Sequence, residues 1–272
     1  MNRSIKVMSF NMKRNYLPFG KNRWEDRSAL VAQVIRQNAP DIVGTQELTN
    51  ASLCDMQHLL PEYEQVGNGR GGGQRGEYTA IFYLKSQFKA LGEETFWLSR
   101  TPQEPSRAWL AIFPRICTTC LLQLRDAPNV NLRIYNTHLD HISYLARING
   151  LKLIIKHMND HPSSCGKVHT VLMGDFNATP ASKTLRAWES RLRVGQTSQT
   201  PRMENSYNQL LRSSQDIGRS YHGFHGTVAG NPIDYIFTSK DILPRSVEIR
   251  RDNFDSVYPS DHYPVIAELE LL

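Results

Sequence analysis

The sequence predicts an α/β fold in which two sheets pack together and are covered by helices. Two observations point there. The hydrophobic period switches repeatedly between that of a strand and that of a helix. Between Glu77 and His138, several strand-like segments follow one another with no helix between them, which is incompatible with a strict β-α-β repeat around one parallel sheet. Ile5–Asn11 alternates as a strand, and Ser28–Asn38 places Leu30, Val31, Val34 and Ile35 on one helical face before Pro40 stops it. Asp41–Gln46 reads as a short strand, and Ala51–Leu60 as a helix halted by Pro61. Glu77–Leu84, Phe88–Leu98, Arg115–Leu124 and Leu132–His138 form the run of strands. Ser143–Met158 is an amphipathic helix with Leu145, Ile148, Leu151, Ile154 and Ile155 facing inward. Val168–Met173 is a buried strand, Ser182–Arg191 a helix, and Ile233–Thr238, Ser246–Arg250 and Val265–Leu271 are closing strands. No repeat, linker or low-complexity tract interrupts the 272 residues, so one domain over 1–272 is expected.

Composition excludes several classes. A 40% hydrophobic content with a formal net charge of +6 argues against wholesale disorder. No apolar run is long enough to span a membrane, and the alternating N-terminus lacks the apolar core of a signal peptide. The modest positive charge is a weak prior for an anionic partner. The four cysteines, Cys54, Cys117, Cys120 and Cys165, are too few for a disulfide framework. Cys117 and Cys120 form a C-x-x-C, but they lie in a strand-like segment where positions three apart face opposite sides. Reduced thiols and a cytoplasmic location are the expectation.

The biased stretch Gly67–Gly76 lacks a phosphate-loop pattern and reads as a flexible hairpin loop, whose Arg70 and Arg75 can reach an anionic substrate. His157 and His161 stand four apart on the long helix. They lack the glutamate of the metalloprotease motif, and a cation near a helix C-terminus is the simpler account. Arg147, on the same helix, is a candidate contact to substrate phosphate, and so is the loop residue His222.

The informative pattern is the polar residues that end apolar strands. Asn11 follows Val7-Met8-Ser9-Phe10, and Glu47 follows Ile42–Gln46. His138 ends Leu132–Thr137, while Asp175 and Asn177 follow Val171–Gly174. Asp234 opens Tyr235-Ile236-Phe237, and Asp261-His262 precede the last strand. Strand ends converge at one rim of a sheet, where active sites assemble. Glu47, Asp175, Asn177 and Asp261 are hard oxygen donors suited to Mg²⁺ or Mn²⁺ rather than zinc. His262, with Asp234 to orient it, supplies the acid–base pair that activates water. Metal, oriented histidine and neutral amide donors together describe hydrolysis at phosphorus.

On these motifs the sequence resembles the endonuclease/exonuclease/phosphatase superfamily, from Ser9-Phe10-Asn11 to Ser260-Asp261-His262. The resemblance implies a four-layer α/β sandwich with two central mixed β-sheets flanked by helices. It implies that Glu47 is the principal metal ligand, that Asn11 and Asp261 support the metal site, and that His138 contacts phosphate with Glu77 as its partner. It further implies that Asp175 handles the nucleophile or leaving group, that Asn177 stabilises the transition state, and that Asp234 and His262 form the His–Asp pair. The form Gly174-Asp175-Phe176-Asn177-Ala178-Thr179-Pro180 is closer to the phosphatase, sphingomyelinase and deadenylase branches than to abasic-site enzymes, and several segments are similar to a small bacterial-type subfamily.

The expected activity is therefore a Mg²⁺-dependent phosphoesterase, with Mn²⁺ as a substitute, acting on a small soluble phosphorylated substrate by in-line attack of water. The alternative is a nuclease acting on DNA or RNA. A third reading, a phosphate-binding module without catalysis, is disfavoured because both the metal carboxylate and the terminal histidine are present. A monomer is expected.

Overall fold

The computed structural model describes residues 3–14, 22–161, 167–194, 203–208 and 217–272. Cys165 lies outside them. One six-stranded sheet contains β1 (Arg3–Asn11), β2 (Ile42–Gln46), β3 (Tyr63–Val66), β4 (Ile81–Leu84), β11 (Ile242–Ile249) and β12 (Val265–Leu271), in the order β11-β12-β1-β2-β4-β3. The other contains β5 (Phe88–Trp97), β6 (Ile116–Leu124), β7 (Val130–His138), β8 (Lys167–Asp175), β9 (Met203–Asn205) and β10 (Asp234–Ser239), in the order β5-β6-β7-β8-β10-β9. The pairs β1–β2 and β7–β8 are parallel, and the other described pairings are antiparallel. Helices α1 (Trp24–Asn38) and α2 (Asn50–Leu59) cover the first sheet, and α3 (Tyr144–Asp160) and α4 (Lys183–Val194) cover the second. This is the four-layer sandwich.

Strand periodicity divides the core. Along β1, Ile5 and Val7 face the second sheet, while Met8 and Phe10 pack under α1 with Val31 and Ile35. Along β7, Asn136 points at the first sheet: its side-chain amide donates to the carbonyls of Thr45 and Ala80, each at 2.9 Å. Its oxygen accepts from Gln46 Nε2 at 2.7 Å. These buried amides satisfy polar groups where the sheets meet. Gly44 permits that approach, since a Cβ there would lie 2.6 Å from Met173 Sδ and 2.9 Å from Asn136. Gly174 has φ +146°, and a Cβ would stand 1.9 Å from the carbonyl oxygen of Thr137 on the paired strand.

Two strands escape the periodicity. Tyr63–Val66 and Met203–Asn205 are the outer strands of their sheets, each paired on one side. They are too short to carry an alternation signal. Helix α1 starts at Trp24, ahead of the expected Ser28, because Trp24 and Arg27 are buried on its inner face. The Trp24 indole N–H donates to Asp55 at 2.8 Å and ties α1 to α2. Helix α2 opens with a capping box between Thr49 and Ser52, and Ser143 caps α3. Cys117 and Cys120 are buried free thiols, and burial pushes both up, Cys120 to about 12. Among the described residues no helix is long and apolar enough to cross a membrane.

Candidate active site

Parallel pairing brings the C-terminal ends of β1 and β2 together, and likewise those of β7 and β8. Register then aligns the chemistry: His138 is opposite Asp175, and Asp175 is opposite Asp234 on the antiparallel β10. Register partners share a face, so all three project toward the other sheet, where Asn11 ends β1. The chain turns sharply after each strand. Lys13, Glu47 and Asn177 have φ of 55°, 66° and 48°, left-handed conformations that cost free energy in Lys and Glu and are tolerated best by Asn. Arg27, buried beneath this rim, donates to the carbonyls of Met12, Lys13 and Pro259 and pins the loops that carry Lys13 and Asp261. The Ser260 hydroxyl donates to the Asn11 carbonyl at 2.6 Å.

At the centre, Asn11 Nδ2 donates to Glu47 Oε1 and to Asp175 Oδ2, each at 3.1 Å. His262 Nδ1 lies 2.9 Å from Asp234 Oδ2. Its other nitrogen, Nε2, lies 3.8 Å from Asp175 Oδ2, and His138 Nε2 approaches the same oxygen to 3.5 Å. The opposite oxygen of Asp175 accepts from the Asn177 N–H at 2.8 Å, and Asn177 Nδ2 donates to the Leu139 carbonyl at 3.0 Å. A cleft of about 260 Å³ opens over these groups, lined among others by Lys13, Glu47, Arg70, Arg115, His138 and Tyr221.

The electrostatics follow from burial and like charge. Burial, then the charge of Asp234, raises the Asp175 carboxyl to about 7, against the opposing pull of His262. Burial works against the charged form of His262, but the charge and hydrogen bond of Asp234 outweigh it and raise His262 to about 10. Burial and the nearby Arg115 hold His138 well below its ordinary value, so it is neutral.

The donor set fits a hard divalent cation. Glu47 Oε1 and Asp175 Oδ2 converge on the Asn11 amide, and the Asp175, Asp234 and His262 side chains meet within 4.8 Å of one another. Asp234 Oδ1 is buried without a hydrogen-bond partner. Facing buried carboxylates whose mutual repulsion raises a pKa are groups that a cation neutralises. The sequence expected Glu47, Asn11 and Asp261 to serve the metal, and the structure divides them. Glu47 lines the cleft, with Oε2 accepting from the Arg14 N–H at 3.1 Å. Asn11 turns its N–H groups to the carboxylates, and its oxygen accepts from the Lys13 N–H at 3.1 Å. The two carboxylates thus meet the donor side of the amide. Asp261 pairs with Lys13 Nζ at 2.9 Å.

Other expected residues take different partners. Glu77 lines the cleft beside His138, but its carboxylate is paired with Arg14 and Arg70, each at 2.8 Å. The Gly67–Gly76 loop, expected to be flexible, folds on its own backbone through Gly69 N–H to Gly73 at 2.7 Å and Gly71 N–H to Arg75 at 2.8 Å. The Trp97 indole holds the Arg70 carbonyl at 2.7 Å, which places the Arg70 guanidinium in the cleft. Arg147 turns back to the Asp140 carbonyl at 2.9 Å and the Thr184 hydroxyl at 3.2 Å, outside the cleft lining. His222 is buried behind it, stacked on Tyr263 at 3.9 Å, with its backbone N–H on the Asp261 carbonyl. Its backbone thereby supports the Asp261-His262 turn. The sequence reading missed Lys13, Arg115, His141, Phe113 and Tyr221 as cleft residues. Tyr221, the neighbour of His222, is bridged to His262. Lys13 and Arg115 flank strand ends and were open to detection on that ground.

The model of the endonuclease/exonuclease/phosphatase family matches residues 8–262. A solved family member from Bacteroides thetaiotaomicron is 27% identical, with a TM-score of 0.87 covering 100% of this chain and 99% of that one. A mannosyl-6-phosphatase of the same organism is 29% identical, with a TM-score of 0.86 over 97% of this chain and 99% of that one. Nocturnin of Drosophila melanogaster is 23% identical over 298 residues, which cover 92% of this chain and 42% of that protein. The chain thus spans less than half the length of that curated relative. Two six-stranded mixed sheets, a cleft at their shared rim and a family match across nearly the whole sequence agree, and the chain belongs to the endonuclease/exonuclease/phosphatase family, whose members are hydrolases acting on phosphoesters.

Proposed function

We propose that the protein is a Mg²⁺-dependent phosphoesterase that hydrolyses a small phosphorylated molecule, with a sugar phosphate as the first substrate to test. The observation that carries this reading is the convergence of Asp175 Oδ2 with the Nε2 atoms of His262 and His138 at 3.8 and 3.5 Å under one cleft that Lys13, Arg70 and Arg115 also line. Its volume, about 260 Å³, falls just short of the ~300 Å³ at which drug-sized ligand pockets begin, which suits a small substrate. Similarity to a mannosyl-6-phosphatase over nearly the whole chain supports the sugar phosphate.

In this reading Lys13, Arg70 and Arg115 draw the phosphate into the cleft. Glu47, tied to Asp175 through the Asn11 amide, would hold Mg²⁺, which when bound would offset charge on the phosphoryl oxygens. Water sits between Asp175 and His262. Asp175, raised toward neutrality by burial and Asp234, accepts the water proton as the water oxygen bonds to phosphorus. His262, kept protonated by Asp234, donates from Nε2 to a non-bridging oxygen. The ester P–O bond breaks in line, the departing oxygen takes up a proton from solvent, and Asp175 returns the water proton to solvent. Neutral His138 and the Asn177 amide hold the same carboxylate and rim in register.

The test is hydrolysis of a panel with Mg²⁺ and with chelator: hexose phosphates, inositol phosphates, nucleoside monophosphates, a model diester, and single-stranded DNA and RNA. Turnover of a small phosphoester that chelator abolishes is expected, with at least ~10²-fold loss in Glu47→Ala and His262→Ala. Failure to hydrolyse any phosphoester, or undiminished rates in both variants, overturns the proposal. Hydrolysis confined to the polynucleotides selects the nuclease reading instead.

A further inference from the structure

The cluster at the C-terminal end of α3 belongs to no part of the cleft. We propose that Glu94, His157 and His161 form a binding site for a borderline transition-metal dication, with Zn²⁺ as its ligand, which clips the end of α3 to β5.

His157 is already set as a ligand. Its side chain is 9% exposed. Its ring stacks on Phe96 with centroids 4.5 Å apart and planes at 3°. The Tyr135 hydroxyl lies 3.1 Å from Nδ1, the kind of partner that orients metal-binding imidazoles. The remaining nitrogen, Nε2, lies 3.0 Å from Glu94 Oε2. Two ligands on a tetrahedral ion with bonds of about 2.0 Å stand roughly 3.3 Å apart, so this pair is close to chelating separation.

His161 supplies the third ligand. It caps α3 one turn beyond His157, and the two rings stack at 4.1 Å and 17°. Its Nδ1 lies 3.0 Å from the His157 carbonyl oxygen. That oxygen only accepts, so Nδ1 carries the proton and Nε2 carries the lone pair. One ligand atom from each residue lies within 4.8 Å of the others. The near-parallel rings do not yet aim at one point, so ligation requires the exposed His161 ring to turn about its side-chain torsions while His157 stays in its socket.

Two imidazoles and one carboxylate suit Zn²⁺ and its neighbours, whereas Mg²⁺ prefers an all-oxygen shell. The site is therefore chemically distinct from the oxygen-rich cleft. The carboxylate beside the His-x-x-x-His pair comes from a residue 63 positions earlier, on the sheet that α3 covers. No sequence motif could show that.

The experiment is Zn²⁺ titration calorimetry of the full chain in excess Mg²⁺, with Co²⁺ absorption spectra as a second readout. One equivalent is expected in the wild type and in Glu47→Ala. Affinity should fall at least ~10-fold in His161→Ala and in Glu94→Gln. At a hundredfold excess over the wild-type Kd, Zn²⁺ should raise the wild-type Tm by roughly 5–10 °C and that of His161→Ala by about half as much or less. Phosphoesterase activity with Mg²⁺ should be the same in His161→Ala as in the wild type. Zn²⁺ binding that disappears in Glu47→Ala, or equal affinity in the wild type, His161→Ala and Glu94→Gln, overturns the proposal.

Discussion

Asp234 holds His262 from behind: Oδ2 of the carboxylate lies 2.9 Å from Nδ1, which leaves Nε2 as the nitrogen on the side of Asp175. Both side chains are buried. A buried pair of this kind contributes orientation and charge state more than net stability, because desolvation offsets much of the attraction.

Replacing Asp234 by Asn should keep the shape and remove the charge. Without it His262 returns toward its ordinary pKa and loses its fixed orientation. A loss of about 10²-fold or more in kcat at neutral pH, with KM nearly unchanged, is expected from steady-state kinetics on whichever phosphoester proves to be the substrate. An unchanged kcat would remove the pair from the mechanism.

The same pair makes stability depend on pH. His262 is raised from 6.5 to about 10, so its contribution is complete below about pH 6.5 and is lost as pH rises through about 10. Asp175 is raised from 3.8 to about 7, so its protonated form is favoured in the fold, and that contribution is lost as pH rises through about 7. Both act in one direction. In chelator, urea unfolding should show the wild type losing stability from pH 5 to pH 9 more steeply than Asp234→Asn.

Gly44 should be intolerant of even a methyl group. A Cβ at 2.6 Å from Met173 Sδ and 2.9 Å from Asn136 forces the sheets apart beneath the site. Thermal unfolding of Gly44→Ala should show a destabilisation of about 1–3 kcal/mol. Gly92→Ala is the control, because nothing lies within 4 Å of its added Cβ, and a change within ±0.5 kcal/mol is expected.

Arg70 reaches the cleft from a loop and is shared with Glu77. Arg70→Met should raise KM roughly 10-fold, the loss of one charge-assisted hydrogen bond to phosphate, with a smaller effect on kcat. For a small substrate the dependence of KM on salt should be shallow. A log–log slope of several units would indicate many phosphate contacts and a polynucleotide substrate.

Much of the site was legible because it rests on local rules. Asn11, His138, Asp175 and Asp234 end or begin apolar strands, and period-two alternation places each on the inner face of its sheet. The long elements were legible for the same reason, whereas β3 and β9 were not, being short outer strands held by one neighbour. The left-handed turn at Glu47 had no local signal, since Glu has no preference for φ of 66°. Tertiary contacts impose it.

What the sequence determined by itself was the kind of chemistry: acids, amides and histidines at strand ends, hard donors beside an acid–base pair, and the family they resemble. The tertiary structure decided which atoms meet. It turned the Asn11 amide toward Glu47 and Asp175, gave Glu77 to Arg14 and Arg70, gave Asp261 to Lys13, and drew Arg147 and His222 away from the cleft. It also brought Glu94 to His157 across 63 positions. The physical reason is one of range. Periodicity and turn chemistry act between neighbours in sequence, whereas ion pairs, amide orientation and metal geometry depend on groups that only the packing of two sheets brings within a few ångströms.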